Sequence, residues 1–391
     1  MRSVMPVCTL FVLLAIGPGT THGEDQAMTP RPGDRKVPVI HCTDLYHPPA
    51  DPDDHFDLAT MYSIPEVDLK AVVLDYGPRQ QTHPGSIPVS QLNALTGRSV
   101  PCAIGLSKNL ANPGDKVAED KPEFQKAVAL IHQVLRESKE PVSITIVGSC
   151  RDVAAAFNRE PELFRAKVGK LMIFAGEADE NQQQYKKHPR EWNVWMERNG
   201  YVCLQRSGLP VYWVPCFDGG RDKNNGHASY WVPRQADLLA RCGPELLSFF
   251  GYALLCDKKN PLNLGDPIQF VSKPLDEASR AKVLSGPREL WCTAVFLALV
   301  GRDVFRDGQS WAVGPTGSRP GVQPVFGFVQ RDVTALDDAA IRYGKTETSK
   351  KIMCFEIFDR EHYAEAMTAA TAQILAGFLP VRPSGNYNGG R

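Results

Sequence analysis

No two cysteines in this 391-residue chain stand at CxxC spacing, and neither sign of charge is in excess, with 44 Lys+Arg against 44 Asp+Glu. The first absence argues against a zinc knuckle. The second excludes a protein drawn to nucleic acid or to an anionic membrane by bulk charge. A neutral chain points to a small-molecule substrate as partner. No apolar run reaches the ~20 residues of a membrane span, and neither an internal repeat nor a linker interrupts the pattern. A single domain over residues 37–380 is therefore expected, with no nucleic acid and no membrane as partners of the mature chain.

The N-terminus carries an address. Arg2 precedes a short apolar stretch, Val7 to Ile16, and small residues (Gly17, Gly19, Thr20, Thr21, Gly23) follow it. This layout predicts a signal peptide over residues 1–23 and a secreted or periplasmic protein, the alternative being an uncleaved anchor. Residues 24–36 read as a flexible leader, and 381–391 as a disordered tail. Cys8 lies in the signal and nine cysteines remain, an odd number that leaves at least one thiol free.

From Val37 onward, strand and helix patterns alternate. VPVIHCTD, LKAVVLDYG, GRSVPCAIGL, VSITIVGS, GKLMIFAG, LPVYWVPCF and KIMCFEIF read as buried strands. HFDLATMYSI, PEFQKAVALIHQVLRES, RDVAAAFNREPELFRAKV and HYAEAMTAATAQILAGF read as helices, the third broken near Pro161. The apolar WCTAVFLALV reads as a short buried helix. The fold class is α/β, with a mostly parallel central sheet and helices on both faces.

Ligands of such sheets bind at the carboxyl ends of the strands. There the sequence concentrates Asp44, Asp51, Asp53, Asp54 and Asp57, five carboxylates within fourteen residues. A hard cation such as Ca²⁺ would relieve their repulsion. The same run also reads as a solvated loop capping a helix. His55 adjoins the acidic pair and is a candidate acid for a leaving group, the alternative being a histidine paired with Asp. GSCRD and FAGEADE follow two further strands and offer Ser149 and Glu177. Trp192 and Trp231 could stack on a base or a sugar, or simply pack. The Gly-rich stretch Asp218–Trp231 suits a binding loop or a tolerated insertion. A nucleophilic Cys150 is disfavoured, since no Cys-His arrangement is visible.

The order of these segments resembles the nucleoside hydrolases, metal-dependent N-ribohydrolases whose first strand ends in D-x-D-x-G-x-D-D. CTDLYHPPADPDDHFDLA resembles that motif, and the likeness runs on over roughly residues 37–380. It implies a nucleoside-hydrolase-like sheet and hydrolysis of the N-glycosidic bond of a nucleoside or related ribosyl compound. It implies Asp44 and Asp54 as calcium ligands, with Asp51 in reserve, and Asp44 as base. Asp53 would hold a ribose hydroxyl, Ser149 would offer its carbonyl to the metal, and Asn193, with Trp192 and Glu177, would contact substrate. A homo-oligomer is implied as well. The chain departs from the motif by five inserted residues and a missing Gly, by Cys42 at the first Asp, and by Cys292 where the family has a metal-binding Asp. These departures leave open a non-catalytic binding protein on the same fold.

Overall fold

The computed structural model describes residues 36–178, 190–220, 223–260 and 262–381. The expected signal peptide, nearly all of the leader and the tail beyond residue 381 lie outside them, as do Asp179 and Glu180 of FAGEADE. Eleven strands form among the described residues: β1 Val37–Thr43, β2 Val67–Leu74, β3 Cys102–Ile104, β4 Val142–Ile146, β5 Val168–Phe174, β6 Val211–Val214, β7 Arg302–Asp307, β8 Ser310–Pro315, β9 Phe326–Ala335, β10 Ile341–Tyr343 and β11 Lys350–Ile357. Nine of them join in one sheet, in the order β10-β9-β11-β6-β5-β4-β1-β2-β3. Every pairing from β3 to β11 is parallel; β9 runs antiparallel to both β11 and β10. The hairpin β7–β8 stands apart. Neither β7–β8 nor the antiparallel edge β9–β10 is legible as such in the sequence.

The parallel strands are apolar on both sides because both sides are covered. Along β1, Val39 joins one core while Ile40 and Cys42 join the other, and along β5 Met172 and Phe174 alternate with Leu171 and Ile173. The helices Asp53–Ser63 and Tyr363–Ala376 pack on the first face. Lys126–Glu137, Arg151–Arg159 and Arg198–Arg206 cover the second. The Pro161 break is where expected, between Arg151–Arg159 and Pro161–Lys167. WCTAVFLALV forms a buried 3-10 helix, Thr293–Leu299. The GRSVPCAIGL strand shrinks to the three residues of β3.

The chain builds β1, β2 and β3 outward and then returns to lay β4 beside β1. The sheet therefore reverses its winding between β1 and β4, and a crevice opens at their carboxyl ends. Asp44 follows β1 there, and Val147 follows β4. All nine cysteines among the described residues are unpaired thiols. No helix among the described residues is long and apolar enough to cross a membrane.

Candidate active site: an acidic cavity at the sheet reversal

The crevice holds a cavity of about 430 Å³. Its walls include Asp44, Asp51, Asp53 and Asp54, with Trp192 and Asn193 facing them. Six residues singled out in the sequence thus meet at one place, although about 140 positions separate the two groups in the chain. Gly148 permits the approach of β4 to Asp44: a Cβ there would lie 2.7 Å from the Asp44 amide nitrogen. The inserted loop folds down rather than out. Tyr46 and His47 are buried, His47 stacks on Tyr252 at 4.8 Å, and Ala50 and Asp51 face the cavity.

Asp53 and Asp54 open the helix Asp53–Ser63, where its free amides favour negative charge. Asp54 accepts a hydrogen bond from the Thr43 hydroxyl. Burial still dominates. It pushes the Asp44 carboxyl up to about 7, helped by Asp75. It raises Asp53, with Asp51, Asp57 and Asp44 adding to the effect, and raises Asp54, with Asp44, Asp53 and Asp57. Burial and mutual repulsion thus hold Asp44, Asp53 and Asp54 above the ordinary carboxylate range.

Asn193 is fixed at the opposite wall. Its side-chain NH₂ donates to the carbonyls of Val147 (3.0 Å) and Phe174 (3.1 Å), at the ends of β4 and β5. Its Oδ1 is left as an acceptor. Glu191 caps the short helix Trp192–Met196 by accepting from the amides of Asn193 and Val194, and also takes the Gly176 amide at 2.8 Å. Trp192 is 42% exposed at the cavity edge, beside Trp195 at 5.0 Å.

Several expected residues stand elsewhere. His55 does not line the cavity. It is buried against Phe249, neither ring nitrogen has a hydrogen-bond partner, and burial pushes its pKa down to about 3. It is a neutral core residue, because the helix turns it 100° away from Asp54. Ser149 turns from the cavity and gives its amide to Asp75 (3.0 Å); Val147 is the residue of that loop on the wall. Glu177 is buried in a bridge with Phe217 behind the wall, where Glu191 stands instead. Trp231 is a core residue. Cys150 is buried and its thiol is pushed up by burial and by Glu197, so it is no nucleophile. In the Asp218–Trp231 loop, Asp218 accepts from His227 at 3.0 Å.

Arg79, Arg190, Glu191, Phe217 and Trp291 also line the walls, and sequence reasoning did not place them there. The position of Arg79 just past β2 and of Phe217 just past β6 is the signal that could have found them.

The donor set does not fit a calcium ion, which takes six to eight oxygens. Among the described residues no group of three or more His, Cys, Asp or Glu side chains is disposed to hold a metal. Asp57 is spent on the Thr293 amide (3.1 Å) and on Cys292, and Asp51 is drawn toward Arg288. The Cys292 thiol, pushed up by burial and Asp57, stays neutral and is a poor calcium ligand.

These proton-holding carboxyls give a stability prediction. Asp44, Asp57 and Asp152 are each raised from 3.8 to about 7. Their contribution is complete below the unfolded value and is lost as pH rises through about 7. His41 and His55, lowered to about 3, act oppositely, losing stability as pH falls below 6.5. The melting temperature is expected to climb by roughly 5 °C as pH falls from about 8 to about 6.5, and to climb more slowly below that, where the two histidines offset part of what the three carboxyls gain. Calorimetric scans across that range check it; stability that instead grew toward alkaline pH would mean the carboxyls ionise freely in the folded chain.

The parallel sheet, its reversal and the acidic cavity define an α/β protein with a small-molecule crevice. Residues 48–216 match the sequence model of the family described as inosine-uridine preferring nucleoside hydrolase. That match covers under half of the chain. It is 28% identical over 191 residues to the pyrimidine-specific ribonucleoside hydrolase RihA of Enterobacter sp. (strain 638), and 27% identical to RihA of Escherichia coli O1:K1 / APEC. Each match covers 45% of this chain and 58% of the relative, so the chain spans little more than half the length of the curated relatives it matches. A plant nucleoside hydrolase structure superposes with a TM-score of 0.51 at 16% identity, covering 86% of this chain and 99% of the other, a likeness of fold.

Proposed function

We propose that the protein is an exported hydrolase that cleaves the N-glycosidic bond of a nucleoside or related ribosyl compound. One observation carries this reading: Asp44, Asp53 and Asp54 share a cavity with Asn193 and Trp192 at the sheet reversal. The relatives' names, ribonucleoside hydrolases, support the bond type.

In this reading Asp44 takes a proton from water as the oxygen attacks the anomeric carbon. The carbon–nitrogen bond breaks through an oxocarbenium-like state, and the surrounding carboxyls stabilise its positive charge. Asp53 and the Asn193 Oδ1 hold ribose hydroxyls, and Trp192 stacks on the leaving base. The departing nitrogen keeps the bonding pair and takes its proton from solvent at the cavity mouth, since no histidine lines the described walls. Calcium, which the family likeness suggests, has no step in this scheme, because Cys292 and the diverted Asp57 break the donor set.

The test is release of reducing sugar from a panel of purine and pyrimidine nucleosides by chelator-treated protein. Turnover that survives chelation is expected. A nucleoside that binds and is never cleaved would favour a binding protein instead. Export rests on the pattern Arg2, Val7–Ile16, Gly23; Edman sequencing of material from the periplasm or medium should start close after Gly23, and recovery only with Met1 in the cytoplasm would refute it.

A further inference from the structure

Arg79 is a charged cavity residue that the scheme above does not use. It sits in the turn Gly77–Gln80, directly past β2. That turn is rigid: the Gln80 side chain donates to the carbonyls of Leu45 (3.0 Å) and Asp75 (3.1 Å) and accepts from the Gly85 amide (2.8 Å). Gly77 lies so close beneath Gly105 that a Cβ would meet its carbonyl oxygen at 2.5 Å. The guanidinium of Arg79 is laid over the ring of Tyr46, 4.1 Å from its centroid. A buried tyrosine thus holds one face of the cation, and both residues line the cavity.

No side chain or carbonyl among the described residues accepts a hydrogen bond from this guanidinium. It touches none of the cavity carboxylates, and its charge reaches Asp44 only through space. A second arginine, Arg190, stands in the same wall, anchored to the Asp338 carbonyl (2.9 Å) and carboxylate (2.8 Å). An arginine held by ring stacking, with its donor edge unfilled and facing a ligand cavity, is arranged to take the paired oxygens of an anion. A neutral nucleoside would close the cavity over that edge and leave its donors without acceptors, which is costly. The carboxylates opposite repel an anion, so the negative group must lie at the Arg79 end, with the sugar between.

We propose that the substrate of this cavity is a phosphate ester of a ribosyl compound, its phosphate held by Arg79. The proposal rests on the ribosyl-hydrolase reading for the sugar, and on Arg79 alone for the phosphate. Ribose 5-phosphate and ribose are the probes, titrated calorimetrically into the full mature chain at low and at moderate salt. The phosphate ester is expected to bind at least about tenfold more tightly than ribose. Arg79→Gln should bring the two within about threefold, and Arg79→Lys should keep part of the preference, since it retains charge and loses the fork. Equal affinity in the parent protein, or a preference that survives Arg79→Gln, overturns the proposal. Binding needs no turnover, so the two readings fail separately: an Arg79-dependent preference without cleavage of any nucleoside or nucleotide sinks the hydrolase alone, and cleavage without the preference sinks the phosphate alone.

Discussion

If the proposed hydrolase reading holds, Asp44→Asn is expected to lower kcat by roughly 10²–10⁴-fold on the ribosyl substrate, the range for loss of a general base. The substitution keeps the shape of the side chain and removes its ability to take a proton. Asp44 lies just past β1, against Gly148, where a Cβ would lie 2.7 Å from its amide nitrogen. The pH profile makes the test specific. With its carboxyl raised to about 7 by burial and Asp75, Asp44 is a competent base only on the alkaline side of that value. Activity of the parent protein should therefore rise as pH increases through about 7 and then level. Residual activity of the variant should lack that rise. A variant that kept the parent's rate, or kept its pH profile at a reduced rate, would place the base elsewhere.

The largest expected effect on stability comes from Arg151→Met. Arg151 is 2% exposed at the start of the helix Arg151–Arg159. Its guanidinium donates to Asp75 (3.0 Å), to the Asn109 side chain (2.9 Å) and to the Met196 carbonyl (3.3 Å), and lies 3.5 Å from Glu197. The two acids are as deeply buried as the arginine. Removing the cation leaves two carboxylates without compensation, a change that costs about 3–5 kcal/mol. The melting temperature should fall by roughly 5–10 °C. The companion variant Arg151→Met with Asp75→Asn should recover part of the loss, because the charge left behind is then neutral. A single variant as stable as the parent would mean that these groups are not charged in the folded chain. The site has a stake in this network, since Asp75 receives the Ser149 amide and acts on Asp44 through space.

How much of this was legible in the chain differs by level. The parallel strands announced themselves because each is buried on both faces, and continuous β-branched runs such as VSITI arise from that burial. The strands β7 to β10 did not, because they lie at an edge or in a detached hairpin, where one face meets solvent and the apolar signal halves. The acidic run Asp44–Asp57 was plain in the sequence, and so was its place after the first core strand.

Its division of labour was not plain. Asp53 and Asp54 face the cavity; His55, one residue further along the same helix, faces the core, and Asp57 is turned to the 3-10 helix that begins with Thr293. Spacing places residues on a helix, but only packing decides which side of it meets the ligand. The order of segments likewise carried the likeness to the nucleoside hydrolases, while Arg79 and Glu191 entered the walls through contacts between loops 15 to 35 residues apart. The sequence by itself determined the alternation of elements, the sheet type and the carboxylates, because these follow from local periodicity and composition. The tertiary structure decided which carboxylates keep their protons, which donors are already spent, and which arginine is left without an acceptor, because burial and hydrogen bonding belong to neighbours that the chain brings together only on folding.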